Sequence, residues 1–161
     1  GDFPSNQVAG YIIAQLAGAF AGAVLVWLHY MAHWSITDNP ASKLAIFCTA
    51  PAVRSTPANL LCEIIATMVL VLAILFIGAN EFTAGLNPLI VGALIVSIGL
   101  SLGVTTGFAI NPARDIAPRI AHFLLPIPGK GGSDWAYSWV PIVGPLVGGV
   151  LGAWIYKALF I

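Results

Sequence analysis

Residues 105–119 read Thr-Thr-Gly-Phe-Ala-Ile-Asn-Pro-Ala-Arg-Asp-Ile-Ala-Pro-Arg, and an apolar run follows them to about Leu125. This run is too short to cross a bilayer and too apolar for an ordinary surface loop. Asn111 is a favoured helix N-cap and Pro112 suits the first helical position, so a helix is predicted to begin here. A loop that re-enters the membrane and leads into a half-length helix fits both facts. Irregular backbone at membrane depth is tolerated only inside protein or beside water, so this segment indicates a pore or a binding site.

The composition supports a membrane location. Of the 161 residues, 59% are hydrophobic and 7% are charged, whereas a soluble domain carries roughly 25% charged residues. The six basic and six acidic side chains cancel, so the chain has no basic field that would attract nucleic acid. Cys48 and Cys62 have neither a metal-ligand spacing nor the pattern of a disulfide framework. The sequence therefore predicts a membrane protein with no nucleic-acid partner.

Four apolar stretches are long enough to cross a hydrocarbon core of about 30 Å. They run from Val8 to Tyr30, from about Asn59 to Ala79, from Leu86 to about Thr105, and from about Tyr137 to Phe160. Two of them carry small residues at every fourth position: Gly10, Ala14, Gly18 and Gly22 in the first, and Gly144, Gly148 and Gly152 in the last. Such ridges let helix backbones approach closely, so they predict tight helix packing.

The residues around Asn111 suit contact with a polar, uncharged solute. Its side-chain amide can donate a hydrogen bond, and a helix that begins there directs free N–H groups and a partial positive charge at the cavity. Gly107 lets the preceding backbone lie close to a solute. Arg114 falls in the first turn, where a cation opposes the helix dipole, and ionisable groups within membranes are usually functional. We therefore expect Arg114 to bind hydroxyl groups and to repel cations.

The Asn-Pro-Ala-Arg-Asp motif in this apolar setting resembles the second Asn-Pro-Ala box of the major intrinsic proteins, the aquaporin and aquaglyceroporin family. The resemblance covers essentially the whole chain, and Asp115, Arg119 and Pro141-Ile142 are similar to the residues of bacterial glycerol facilitators. It implies an all-α membrane protein with an aquaporin-like helical bundle, inverted repeats and a re-entrant half-helix. It further implies a homotetramer in the bacterial plasma membrane that conducts glycerol, related small polyols and water. Neither enzymatic activity nor a cofactor nor a metal is implied.

The resemblance also assigns roles to individual positions. It places a selectivity filter at Gly99, Phe108 and Arg114, and a ladder of acceptor carbonyls at Gly107, Phe108, Ala109 and Ile110. Asn111, Leu70 and Ile95 would line the rest of the pore. Structural support would come from Glu63, Pro112, Ala113 and Asp115, with Glu63 accepting hydrogen bonds from the re-entrant backbone. A proton relay is the alternative role for Glu63.

A second Asn-Pro-Ala occurs at Asn39-Pro40-Ala41, in a polar connector from His33 to Pro57. With no apolar half-helix after it, this match is predicted to be a chance turn. The family pattern then places the first true box upstream of Gly1. The chain would correspond to the last helix of repeat one, at residues 8–30, and to repeat two, at residues 58–161. Together residues 1–161 are predicted to form a single membrane domain.

Three other interpretations remain at this stage. A secondary transporter with broken helices also directs half-helix N-termini at a midplane site, and Glu63 and Asp115 are its candidate coupling groups. An intramembrane metallohydrolase is suggested by the i, i+4 spacing of His29 and His33, but the glutamate of a zinc-protease box is missing between them. The third interpretation is a purely structural membrane segment. A flux that is linear in solute concentration would favour the channel over the transporter.

Overall fold

The computed structural model describes residues 3–82 and 85–160, and every regular element within these ranges is helical. Residues 83 and 84, in the predicted connector from Asn80 to Gly85, lie outside the described residues, as do residues 1, 2 and 161. The helices are α1 (Val8–His29, preceded by a 3-10 turn at Ser5–Gln7), α2 (Pro40–Phe47), α3 (Thr56–Gly78), α4 (Leu86–Leu102), α5 (Pro112–Leu124) and α6 (Val140–Phe160).

Three segments within the described ranges are long and apolar enough to cross a membrane: Ser5–His29, Thr56–Gly78 and Val140–Phe160. The fourth predicted span, α4, has 17 residues, which is about 26 Å of helix at 1.5 Å per residue. Helix α5 has 13 residues, or about 20 Å, and is therefore too short to span. All of these helices begin and end within about four residues of the limits predicted from hydropathy.

The chain divides into two compact units. The first comprises residues 1–48 and 113–138, and the second comprises residues 49–112 and 139–161. Helix α5 is therefore divided between the units. Its first residue, Pro112, belongs to the second unit, and residues 113–124 belong to the first. The single membrane domain proposed for residues 1–161 stays a prediction.

The first unit has a core of apolar and aromatic side chains, in which Trp34 and Phe47 stack with ring centroids 5.9 Å apart. Helix α2 supplies Phe47, and its start corrects the prediction of a chance turn. Asn39 is extended at φ −79° and ψ 113°, its side chain accepts a hydrogen bond from the backbone N–H of Ala41, and Pro40 is the first helical residue. The turn prediction was wrong because the local signal, Asn at the N-cap and Pro at the first position, starts a helix whether or not a long apolar run follows.

In the second unit, α3 packs closely on α6 through the glycines of α6. A Cβ added to Gly148 would lie 2.3 Å from the carbonyl oxygen of Ile64, and one added to Gly152 would lie 2.7 Å from that of Met68. The glycine ridge of α6 thus brings two backbones together, as membrane helices do where lipid gives no hydrophobic drive. The ridge of α1 differs, because a Cβ on Gly10, Gly18 or Gly22 would have no described atom within 4 Å.

Candidate functional site

The backbone between α4 and α5 takes an unusual path. Phe108 and Ile110 have positive φ angles, 39° and 46°, and Gly107 has φ 79°. Positive φ is uncommon for residues with a side chain, above all for bulky or β-branched ones such as these two. Each such residue costs of the order of 1–3 kcal/mol, so the conformation persists only if its surroundings impose it. Residues with backbone strain of this kind are concentrated at functional sites.

Glu63, in α3, supplies that restraint. Its carboxylate is fully buried. Its Oε1 atom accepts hydrogen bonds from the Thr106 hydroxyl at 2.6 Å and from the backbone N–H of Ala109 at 3.0 Å, and Oε2 accepts one from the N–H of Ile110 at 3.0 Å. Hydrogen bonds to an ionised acceptor are about twice as strong as neutral ones. One side chain therefore holds Thr106, just before the strained turn, and Ala109 and Ile110 within it.

Gly144 of α6 makes room for the Cβ of Glu63. A Cβ on Gly144 would lie 2.5 Å from the Cβ of Glu63, a separation that real Cβ atoms do not show. The glycine ridge of α6 therefore has a second consequence besides helix packing, because it allows the helix that carries Glu63 to approach this closely. The sequence predicted the packing of this ridge and not its link to Glu63.

The Phe108 ring lies against two glycines of the α4 end. A Cβ on Gly99 would be 3.1 Å from Cζ of Phe108, and one on Gly103 would be 2.7 Å from its Cδ1. The structure thus brings together Gly99 and Phe108, two of the three predicted filter residues. Gly103 was missed in the sequence analysis, although its spacing of four residues from Gly99 was a usable signal.

The remaining predicted site residues occupy the same segment or its flanking helices. Leu70 of α3 and Ile95 of α4 are partly buried, and Asn111 directly precedes α5, which starts with Pro112 and the buried Ala113. Arg114 is exposed in the first turn of α5. It belongs to the first unit, whereas Gly99 and Phe108 belong to the second, so its place in a common filter stays a prediction.

Asp115 and Arg119 form a buried pair along α5. Both side chains are fully buried, and the guanidinium binds the carboxylate through two parallel hydrogen bonds of 2.8 Å. The Nη1 atom of Arg119 also donates to the carbonyls of Ser133 and Asp134, at 2.7 and 3.0 Å. Bidentate binding of this kind fixes both side chains in position. Asp115 is thus joined to the loop after α5 through Arg119.

The carboxyl end of α5 is held by residues that the sequence analysis did not single out. Lys130 donates to the carbonyls of His122, Phe123 and Leu125, each at 2.7 Å. His122 is fully buried and its Nδ1 lies 2.8 Å from the Ser133 hydroxyl. Burial lowers the pKa of Lys130, yet three acceptors match the three N–H groups of an ammonium. A lysine shortly after a predicted helix end was the available signal, since such residues cap the last carbonyls.

The two histidines considered for a metal have aromatic neighbours. His29 and His33 are exposed, and each ring meets Tyr30 edge-on with centroids 5.5 Å apart. Among the described residues, no group of three or more His, Cys, Asp and Glu side chains is placed to hold a metal ion. These rings stand at the end of α1, where amphipathic aromatic side chains commonly occupy the membrane interface.

Comparison with known proteins places this geometry in a family. The profile of the Major intrinsic protein family matches residues 1–156. The chain is 63% identical to the probable glycerol uptake facilitator protein of Thermotoga maritima and 62% identical to the glycerol uptake facilitator protein of Bacillus subtilis, in both cases across 99% of its length. It spans 68% and 58% of those two proteins.

A solved structure shows the same fold. The aquaglyceroporin of Plasmodium falciparum superimposes with a TM-score of 0.81 at 27% identity, covering 98% of this chain and 66% of that one. The all-helical, aquaporin-like membrane fold predicted from the sequence is therefore confirmed, with the chain again spanning about two thirds of its relative. From the family profile, the identities and the fold together, the chain belongs to the major intrinsic protein family of multi-pass membrane proteins.

Proposed function

We propose that this chain forms most of a passive membrane channel for glycerol and other small uncharged polyols, which also admits water. The observation that carries the proposal is the strained backbone at residues 107–110, held by the buried Glu63 carboxylate. Irregular backbone at membrane depth is tolerated only inside protein or beside a watery path, and the partial exposure of Gly107, Phe108 and Ile110 favours the watery path. The names of the two bacterial relatives, both glycerol uptake facilitators, support glycerol as the solute.

The narrow part of the path is assigned to three residues. Phe108 provides an apolar wall for the carbon backbone of a polyol, and Gly99 leaves room for its ring. Arg114 donates hydrogen bonds to hydroxyl groups and opposes the entry of cations. The carbonyls of Gly107, Phe108, Ala109 and Ile110 accept from the hydroxyls of the solute, Asn111 donates to them, and Leu70 and Ile95 add apolar lining.

The contacts of the two buried acids favour a channel over a coupled transporter. A transporter needs carboxylates or other side chains that take up and release the coupling ion. Glu63 already accepts three hydrogen bonds from the re-entrant segment, and Asp115 is bound twice by Arg119. Both acids are thus bound within the fold, so neither suits a coupling cycle or a proton relay.

The assembly and the cellular location follow the family. We propose a homotetramer with one pore in each subunit, placed in the plasma membrane of a bacterium. Native mass measurement in detergent tests the assembly, and a protein that remains monomeric at all concentrations would contradict it. No enzymatic step and no cofactor enter this function.

The decisive experiment is flux into proteoliposomes that contain the purified protein. We expect swelling driven by a glycerol gradient to rise linearly with the gradient and to be independent of proton and sodium gradients. Protein-free vesicles give the background rate. Flux that saturates at low concentration and requires an ion gradient would favour the transporter, and a rate equal to the background would refute both.

A further inference from the structure

The loop that follows α5 contacts that helix in its middle and at its carboxyl end. We call residues 125–134 the brace. In the middle of α5, Arg119 links Asp115, in the first turn, to the carbonyls of Ser133 and Asp134 in the brace. At the end of α5, Lys130 of the brace donates to the carbonyls of His122 and Phe123, and to that of Leu125 just after the helix. One short loop thus holds the carboxyl end of α5 and, through Arg119, the first turn that carries Arg114.

The contact at the carboxyl end is a specific one. The last four carbonyls of a helix lack helical partners and carry partial negative charge, so a cation there is favourable. Lys130 donates to two such carbonyls, those of His122 and Phe123, and to the carbonyl of Leu125 just beyond the helix, which a flexible surface lysine does not do. Gly129 and Gly131, on either side of it, have φ angles of 60° and 70°, a conformation that side chains at these positions would resist.

Helix α2 holds the brace from the other side. The ammonium of Lys43, which is buried, donates a hydrogen bond to the carbonyl of Pro128. The Phe47 ring meets the ring of His122 with centroids 5.6 Å apart, and a Cβ on Gly131 would lie 3.3 Å from Cβ of Pro40. The helix that Asn39 starts therefore packs on the brace and on the end of α5.

A helix held by the brace at Arg119 and at its carboxyl end keeps its residues in fixed positions. Arg114 and His122 are eight residues apart, which is about 12 Å along the axis. Pro118 lies between them and removes one helical hydrogen bond, so a shift of the brace reaches the first turn through Arg119, which binds both Asp115 and the carbonyls of Ser133 and Asp134. Catalytic and binding groups lose selectivity when they move by about 1 Å. The brace thus offers a means of setting the position of Arg114 from outside the pore.

We infer that Lys130 is a positioning residue for Arg114, and that together with α2 it sets how narrowly the channel selects small polyols over larger ones. This inference rests on the proposed function. Lys130 is not assigned a contact with the solute. It acts by holding the carboxyl end of α5, and loss of that contact lets the first turn shift and widens the path.

The test compares three variants of the full protein in proteoliposomes. Lys130→Met removes the ammonium and keeps an unbranched stem, Lys130→Arg keeps a cationic donor, and Lys157→Met removes an exposed lysine of α6 as the control. The measured quantity is the swelling rate with a five-carbon polyol divided by the rate with glycerol. We expect this ratio to rise at least about threefold in Lys130→Met, roughly 0.7 kcal/mol of lost discrimination, and to stay near the parent value in the other two.

The outcomes separate this inference from the function on which it rests. The inference is overturned if the parent protein conducts glycerol and the Lys130→Met protein has a lowered melting temperature but an unchanged ratio of swelling rates. Lys130 would then be a structural cap only. If Lys130→Met fails to insert, Lys130→Gln is judged by the same ratio. A parent protein without polyol flux would refute the proposed channel itself.

Discussion

Replacing Glu63 by Gln tests the contact on which the site depends. Each carboxylate oxygen of Glu63 accepts one backbone N–H, from Ala109 and from Ile110. A glutamine has one carbonyl oxygen and one NH2 group, so in either orientation a backbone N–H faces another donor. The change keeps the volume of the side chain and alters only the hydrogen bonding and the charge.

The size of the effect follows from these contacts. Leaving one buried N–H unpaired costs about 1–3 kcal/mol, and each bond that changes from a charged to a neutral acceptor loses about 1 kcal/mol. The neutral amide is less costly to bury than a carboxylate, which offsets part of the loss. We expect a net destabilisation of about 2–4 kcal/mol. The strain at Phe108 and Ile110 is of similar size, about 1–3 kcal/mol each, so the segment should relax out of its strained form.

The assay combines the thermal unfolding of detergent-purified protein with glycerol-driven swelling of proteoliposomes. Glu63→Gln should lower the melting temperature and abolish most of the glycerol flux. Glu81→Gln, which makes the same chemical change at an exposed position, should alter neither. An inserted Glu63→Gln protein with the melting temperature and flux of the parent would refute the reasoning.

Three further changes test other parts of the molecule. Gly148→Ala should destabilise the protein by about 1–3 kcal/mol through overpacking, because its Cβ would lie 2.3 Å from the Ile64 carbonyl oxygen. Gly149→Ala is the control, since its Cβ would only touch Val71 at 3.8 Å. Equal melting temperatures of the two variants would contradict the close packing. Phe108→Ala should admit larger polyols in swelling assays, and an unaltered ranking of solutes would place the ring away from the constriction. Arg114→Val should conduct glycerol but leak protons or small cations into liposomes. If the variant excludes protons and cations as well as the parent does, the barrier to ions belongs to the half-helix dipoles and not to Arg114.

Local chemistry in the sequence predicted the helices and the box. A run of about 20 apolar residues crosses a bilayer as a helix whatever its neighbours are, because every backbone group must bond within the segment. Asn before Pro starts a helix for reasons confined to a few residues. That signal correctly placed the start of α5. At Asn39 the same signal was set aside, and the structure shows a helix there.

Only the tertiary structure decided which distant groups meet. The family resemblance implied that Glu63 accepts hydrogen bonds from the re-entrant backbone, but no periodicity in the sequence encodes its pairing with Thr106, Ala109 and Ile110, which are 43 to 47 residues away. The positive φ angles of Phe108 and Ile110 are contrary to local preference, so they arise only once these bonds form. Lys130 likewise reads as a loop lysine until the loop folds back onto the end of α5. The sequence therefore determined where helices lie, since those interactions are local, and the packing of distant segments determined the geometry of the site.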